Sequence, residues 1–384
     1  MDFTFTEEQQ AAVEAARAVF SGVVPDRVPS PSLSPGAVAE DIDRRLWGEL
    51  ASSDLLGLTL SEEYGGAGLD PVALCLVLRE AAKVLARVPL LESCAVAMAV
   101  ERYGERALAA ELLPRAARGE LVLTAGANGR TGHDPAERAV TARPEGEAGD
   151  TAPAGWVLDG VQSAVPWAQA ADRIAVPAHT AEGRPVLAVV DPTSDGVTLA
   201  DQVSTSGERL AEVRLDGVRV DARELIDAPG AWDWLRALLT TGTCALALGL
   251  GERVLAMTAA YTGKREQFGF PVATFQAVAV QAADRYIDLR AMEVTLWQAA
   301  WRITTDAGGA LPATGDIAVT KIWASDGVRR IVQTAQHLHG GFGADTDYPL
   351  HRYHAWAKQI ELSLGPAAAH EEALGDLLAA HPLG

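Results

Sequence analysis

Apolar positions along the chain change their period twice. Up to about residue 120 the spacing is helical, with Val13, Ala16 and Phe20 following Thr6 and Gln9, a pair that predicts a capping box. Asp70-Pro71 predicts an N-cap with proline at the first helical position, opening an apolar helix through Leu74, Val77, Leu78 and Val84. Between these helices Ser61 to Gly68 reads as a glycine-rich turn. From about 121 to 225 the runs become short and alternating or β-branched: Trp156 to Leu158, Ile174 to Val176, and Val186 to Val190. Val213 and Leu215 before Asp216-Gly217, with Val218 and Val220 after it, predict a hairpin. The polar stretch Arg143 to Gly155 reads as an exposed loop. Beyond about 228 long helices return, over roughly 230–264, 274–304, 315–339 and 350–380. Helices of that length run on the order of 45 Å, and four with short connections predict a bundle. The expected architecture is α+β and multidomain: an N-terminal all-α domain over 1–120, a middle β-domain over 121–227 and a C-terminal helical bundle over 228–384.

Composition narrows the chemistry. The 384 residues suffice for two or three domains sharing a sizeable core, and 48% hydrophobic against 22% charged residues points to a compact chain. A net charge of −19 argues against nucleic acid, and any polyanionic ligand must find a local positive patch. Cys75, Cys94 and Cys244 form no CxxC pair and read as buried thiols of a reducing compartment. The N-terminus lacks the pattern of a signal peptide, and no apolar run approaches the roughly 18 residues of a membrane span, so a cytoplasmic protein is expected. His351 and His354 lack a third ligand at metal-site spacing and read as surface or packing residues. Gly249-Leu250-Gly251 lies within a predicted helix with no preceding strand, so it is no dinucleotide loop.

Three segments carry a resemblance. Trp47 to Leu69 contains Glu-Glu-Tyr-Gly-Gly-Ala-Gly; Tyr261 to Gln276 contains Arg-x-x-Phe-Gly with Phe-Gln soon after; Gln336 to Pro349 contains Gly-Gly-x-Gly before an acidic-Tyr-Pro turn. Taken alone, Arg265 is a fixed cation suited to a pyrophosphate or else a helix-terminal arginine facing the dipole. Gly340, Gly341 and Gly343 suit a helix C-cap or a close backbone approach to a ligand. In their order the segments resemble the acyl-CoA dehydrogenase family. That resemblance implies a helical domain, a middle β-barrel domain and a C-terminal four-helix bundle, with FAD as cofactor. It implies FAD contacts, made across a subunit interface, at Arg265, Gln267, Phe268, Gln276, Gly340 and Gly341, with His337 standing at an adenine-side position where many relatives have glutamine. It also implies an acyl-CoA substrate and an electron-accepting flavoprotein.

The chain departs from the family where the chemistry is done. The resemblance puts the flavin ring against Leu123 to Asn128 and Val165 to Trp167, where the usual hydroxyl residues are mostly absent. A grip on the ring by backbone groups is the alternative to supplying half of a site. The family's glutamate base falls at Leu364 or, in a minority of relatives, at Leu239, and leucine cannot accept a proton. Glu361, one turn before Leu364, is the nearest substitute or else a carboxylate paired with Lys358; Asp233 reads as an early-helix acid. Small residues from Thr240 to Ala247 leave room for a bulky acyl group or serve close helix packing. The segment from His339 to Gly365 especially resembles actinobacterial heteromeric members linked to steroid side-chain degradation. Three readings follow: the base-less subunit of an α2β2 dehydrogenase, a self-sufficient homo-oligomer using Glu361 or another acid, or a non-dehydrogenase such as a flavin monooxygenase or silent binding subunit.

Overall fold

The structure is a computed structural model describing residues 4–25, 28–39, 42–131, 137–145, 154–305 and 307–381. The chain opens with helices α1 (Glu7–Phe20), α2 (Arg44–Ser52), α3 (Pro71–Lys83), α4 (Leu90–Tyr103) and α5 (Arg106–Ala117). Thr6 and Gln9 form the expected capping box, the Gln9 N–H donating to Thr6 Oγ1 at 3.2 Å and the Thr6 N–H to Gln9 Oε1 at 3.0 Å. Asp70 caps α3 by accepting from the Ala73 N–H at 3.0 Å, with Pro71 first in the helix. In the glycine-rich turn a Cβ on Gly66 would stand 2.1 Å from the Leu60 carbonyl oxygen, so the turn excludes any side chain there.

The middle block is one mixed sheet of β1 (Leu123–Ala125), β2 (Val140–Pro144), β3 (Gly155–Pro166), β4 (Arg173–His179), β5 (Pro185–Val190), β6 (Val197–Val203), β7 (Arg209–Asp221) and β8 (Leu225–Ile226). Its order is β6-β7-β3-β2-β4-β5-β8, and β1 pairs parallel with β4. The hairpin expected at Asp216-Gly217 is not there: β7 runs straight through it. Gly217, at φ 64°, sits where the register against β3 slips between Leu158 and Gly160, and its N–H donates to Asp159 Oδ1 at 2.8 Å. The Asp-Gly pair therefore makes a β-bulge, and the hairpin turn lies at Ser204–Glu208 between β6 and β7. The expected loop from Arg143 begins in β2 and ends in β3, where Arg143 and Pro144 pair with Val157 and Trp156; residues 146–153 lie outside the described residues.

The last block holds α6 (Ala231–Lys264), a two-strand ribbon of β9 (Glu266–Gln267) and β10 (Phe270–Pro271), then α7 (Gln276–Thr305), α8 (Ala313–His339), α9 (Leu350–Leu362) and α10 (Ala367–Ala380). The helix expected over 350–380 is broken in two, because Leu364 (φ 58°) and Gly365 (φ 95°) are left-handed and Pro366 follows. The fully buried Lys321 fills the break, donating to the Ile360 and Glu361 carbonyls at 3.2 and 3.1 Å. Contrary to the sequence expectation, α6 does have the length and composition of a membrane span, but 61% of that window is buried and the helix packs between α3, α7 and α8. Close packing explains its glycines: a Cβ on Gly249 would fall 1.9 Å from the Arg79 carbonyl oxygen, and one on Gly242 2.2 Å from Leu91 Cδ1. The same α3–α6–α7 contact carries an ion network in which Arg79 meets Glu252 and Glu293 while Lys83 meets Glu80 and Glu252. The three cysteines are free and buried, and burial pushes the Cys94 and Cys244 thiols up to about 12, so they serve as packing groups.

Candidate active site

A cavity of about 390 Å³ opens where the sheet meets α3, α4, α6 and α9, within the range of about 300–1,000 Å³ typical of small-molecule sites. Leu239 on α6 and Leu364 in the α9–α10 break both border it. So do Ala125 at the end of β1, Ala127 and Asn128 after it, and Ala164, Pro166 and Trp167 at the end of β3. Positions that the sequence leaves hundreds of residues apart thus share one space. Ala164 (φ 50°), Trp167 (φ 58°) and Leu364 (φ 58°) hold left-handed backbone at its rim, a strain that only surrounding structure sustains. At Leu364 the support is His370, whose Nε2 donates to the Leu364 carbonyl oxygen at 2.9 Å; burial pushes that imidazole down to about 4. Ala164 lies in a β-bulge where β3 slips against β7 between Gln162 and Val165.

The wall formed by Leu123 to Asn128 and by Ala164 to Trp167 turns several of its hydrogen-bonding groups inward. The Thr124 hydroxyl donates to the Pro166 carbonyl oxygen at 2.7 Å, the Ala164 N–H to Gln202 Oε1 at 2.8 Å and the Gly126 N–H to the Ala175 carbonyl oxygen at 2.9 Å. Asn128 Nδ2 donates to the Ala164 carbonyl oxygen at 3.1 Å. These groups are spent within the chain, so the wall fits a flavin ring poorly, through side chains or through these backbone N–H groups.

Glu361 does not border the cavity. It turns toward α8 and its own helix, with Oε2 2.7 Å from Lys358 Nζ and Oε1 3.8 Å from Arg329 Nε. Asp233, in the first turn of α6, lies 3.8 Å from Arg236 and is also off the cavity. His351 is buried, its Nδ1 2.8 Å from the Tyr348 carbonyl oxygen, as a packing residue. The stretch Thr240 to Ala247 of α6 divides: of its small residues Thr243 faces the cavity, beside the larger Leu246, whereas Gly242 packs on Leu91.

Sequence reasoning missed the two carboxyls that do line the cavity, Glu92 on α4 and Glu208 in the β6–β7 turn. Burial, then the charge of Glu208, pushes the Glu92 carboxyl up to about 8, while a hydrogen bond from the Trp167 side chain opposes this. Burial also raises Glu208, against the nearby Arg87 guanidinium and a hydrogen bond from Gln359. Nothing in their spacing announced them: Glu92 follows two leucines at a helix start and Glu208 follows Ser-Gly in a turn.

The residues of the Arg-x-x-Phe-Gly and Gly-Gly segments lie elsewhere, and the fold brings them together. Tyr261, one turn before Arg265 on α6, stacks on His339 at 4.3 Å and on Phe342 at 5.4 Å, which sets the Gly340-Gly341 turn against the last turns of α6. Arg265 is the C-cap of α6, so it is both an exposed cation and a helix-terminal arginine. Gly340, at φ 60°, is the C-cap of α8. Phe268 (φ 54°) and Gly269 (φ 80°) form the two-residue loop of the ribbon, and Phe268 is 91% exposed. Gln267, Gln276, His337 and Gly341 are exposed as well, and none of these residues borders the cavity. The first twelve residues of α7, from Gln276 to Ile287, include no buried residue. Val280, Ile287 and Val294 recur seven apart along that helix, each more than half exposed. A helix of that length gains its stability from packing, which α6 and α8 supply, and this apolar stripe is left uncovered.

Comparison with known proteins accords with this layout. Residues 6–120 match the acyl-CoA dehydrogenase N-terminal domain and residues 239–378 the acyl-CoA dehydrogenase C-terminal domain. The chain is 34% identical to acyl-CoA dehydrogenase FadE27 of Mycobacterium tuberculosis, over 100% of both. Among solved structures it resembles a chain of a variant of the Tcur3481-Tcur3483 steroid ACAD, at 37% identity and TM-score 0.87 over 97% of this chain and 98% of that one. It also resembles a chain of the ChsE4-ChsE5 complex from Mycobacterium tuberculosis, at 34% identity and TM-score 0.88 over 100% of each. Helical, sheet and helical blocks in this order, both domain matches and a full-length relative together make the chain a member of the acyl-CoA dehydrogenase family.

Proposed function

We propose that this chain is the base-less subunit of a heteromeric, FAD-dependent acyl-CoA dehydrogenase, an α2β2 assembly in which a homologous partner carries the glutamate. The observation that carries the reading is a division of labour. Leu239 and Leu364 together border the cavity where a base is needed, while the FAD-motif residues stand on an outward face that does not meet it. The heteromeric names of two structural relatives support the same arrangement, as does the exposed stripe of α7.

FAD, when bound, supplies the acceptor for the hydride leaving the acyl β-carbon as an acyl-CoA thioester is desaturated. This chain's part is to complete the partner's cofactor site at the end away from the ring. Arg265 brings a permanent planar cation to the pyrophosphate in a protein of net charge −19. Gln267, Gln276 and His337 offer polar contacts, Phe268 offers an aromatic surface, and the Gly340-Gly341 turn allows close backbone approach. Electrons pass on to an acceptor flavoprotein. A cytoplasmic site of action fits three thiols kept free and buried. The domains are taken as 1–120, 121–227 and 228–384.

The test is purification of the chain alone and after co-expression with a homologous neighbour, measuring flavin per chain and acyl-CoA-dependent dye reduction. Little flavin and no turnover alone, with both restored by the partner, is the expected result. Full flavin and turnover alone would overturn the reading and favour a self-sufficient enzyme, against which the ion pairing of Glu361 already counts. Oxygen consumption with reduced flavin, and no reaction of the pair with any acyl-CoA, would point to a non-dehydrogenase use of the fold.

A further inference from the structure

Helix α7 keeps one face out of the fold. Its buried side chains, Leu289 and Met292 among them, turn toward Gly251 of α6 and Gly327 of α8, while Val280, Ile287 and Val294 stand 52, 64 and 54% exposed. Seven residues make just under two helical turns, so these three β-branched side chains form one line about 21 Å long. Ala283, Asp284 and Arg290 flank the line and are exposed, and Ala291 is half-buried beside it. Gln276, at the cofactor face, opens the helix about 16 Å along the axis from Ile287. The middle of the stripe is thus a surface distinct from the cofactor face.

The order of residues along the stripe is symmetric about Ile287. Counting outward on either side, Asp284 balances Arg290, Ala283 balances Ala291, and Val280 balances Val294. Two copies of α7 laid antiparallel across a two-fold axis at Ile287 bring each residue level with its counterpart on the other copy. Ile287 then meets Ile287 and Val280 meets Val294. Alanine meets alanine, where small side chains let the two backbones approach. Asp284 of each copy comes level with Arg290 of the other, and the two-fold makes this pair twice. Arg290 meets Glu293 on its own helix, and its side chain is still 55% exposed. Parallel pairing would instead set Asp284 beside Asp284 and Arg290 beside Arg290, and like charges repel. A chain of net charge −19 repels its own copy at long range, so a self-contact needs opposite charges placed at close range, as the antiparallel pairing places them.

We propose that the α7 stripe is a contact between two copies of this chain, antiparallel about a two-fold axis at Ile287. The inference goes beyond the completion of a partner's cofactor site: the cofactor face joins this chain to its partner, and the stripe joins two such units. A stripe of that length is small beside the roughly 1,200–2,000 Å² of a stable interface, so it serves as a joint within a larger assembly and not as a dimer by itself. Its place in a four-chain assembly rests on the function proposed above; the self-contact does not.

Cysteine cross-linking in the assembly co-expressed with the homologous neighbour tests it, because the three native thiols are buried. Under mild oxidation Ile287→Cys should give a disulfide-linked pair of this chain on a non-reducing gel, since the axis brings the two positions within the roughly 4.4–6.8 Å between Cα atoms that the bond requires. Val280→Cys by itself should link no more than the unmutated chain, its two copies standing about 21 Å apart along the helices. Chains carrying Val280→Cys and Val294→Cys, expressed together, should link to each other. Ile287→Asp should halve the mass of the assembly in sedimentation while flavin per unit is kept. No self-link from Ile287→Cys, a link to the neighbour in its place, or equal yields from Val280→Cys and Ile287→Cys would each overturn the proposal. Flavin per chain is read on the same samples: if the chain proves to hold flavin without its neighbour, the function proposed above falls, and the same cross-links still decide the contact.

Discussion

Replacing Glu92 by glutamine should make the protein's stability less dependent on pH. In the unfolded chain this carboxyl releases its proton in the ordinary range, near the usual value of 4.5, whereas in the fold it holds the proton up to about 8. The causes are burial first and the charge of Glu208 second, with the Trp167 hydrogen bond opposing both. Across that interval the folded state binds more protons than the unfolded state, so stability falls as pH rises. The limiting slope is about 1.4 kcal/mol per pH unit for one proton, and full stability from this group is present only below the unfolded value. Glutamine keeps the shape and can still accept from Trp167, but it does not titrate. Urea unfolding of both proteins at a series of pH values gives the difference directly, because the slopes of all other groups cancel in it. The variant should gain on the parent progressively from the ordinary carboxylate range to about 8 and then level off. Parallel curves for parent and variant across the interval would refute the reasoning, since they would mean that Glu92 ionises in the fold as it does in water.

Gly249→Ala should cost about 3 kcal/mol or more by chemical denaturation, because its Cβ would stand 1.9 Å from the Arg79 carbonyl oxygen and force α3 from α6. Lys321→Met should cost about 2 kcal/mol, since it leaves the Ile360 carbonyl of α9 without its lysine donor and the Glu361 carbonyl with Ser325 Oγ in place of two donors; circular dichroism melts would measure it. Phe268→Ala should leave the melt of the isolated chain within about 0.5 kcal/mol, as the ring is 91% exposed, yet lower flavin retention and association in the co-expressed assembly, read by absorbance and sedimentation.

Local signals were legible where local chemistry decides. The capping box at Thr6 and Gln9, the Asp70-Pro71 helix start and the strands at Trp156, Ile174 and Val186 all follow from neighbours a few residues away. Asp216-Gly217 misled because a positive φ at glycine serves a bulge as well as a turn, and only the pairing of β7 with β3 across Leu158 to Gly160 distinguishes them. The single long helix expected to the end of the chain failed at Leu364, where a buried lysine from α8 and a histidine from α10 sustain a break that the local sequence leaves ambiguous.

By itself the sequence determined the order of helical, sheet and helical blocks, the family motifs, and the absence of a carboxylate at Leu239 and Leu364. Each is written in periodicity or in residue identity. Tertiary structure alone decided that those two leucines share one cavity, that Glu361 turns from it into an ion pair with Lys358, and that the motif arginine and phenylalanine stand outside it. It also brought Glu92 and Glu208 into that cavity from 116 residues apart in the chain. The reason is that burial and charge proximity, which raise a carboxyl's proton affinity, are properties of packing across distant elements, and no local pattern encodes them.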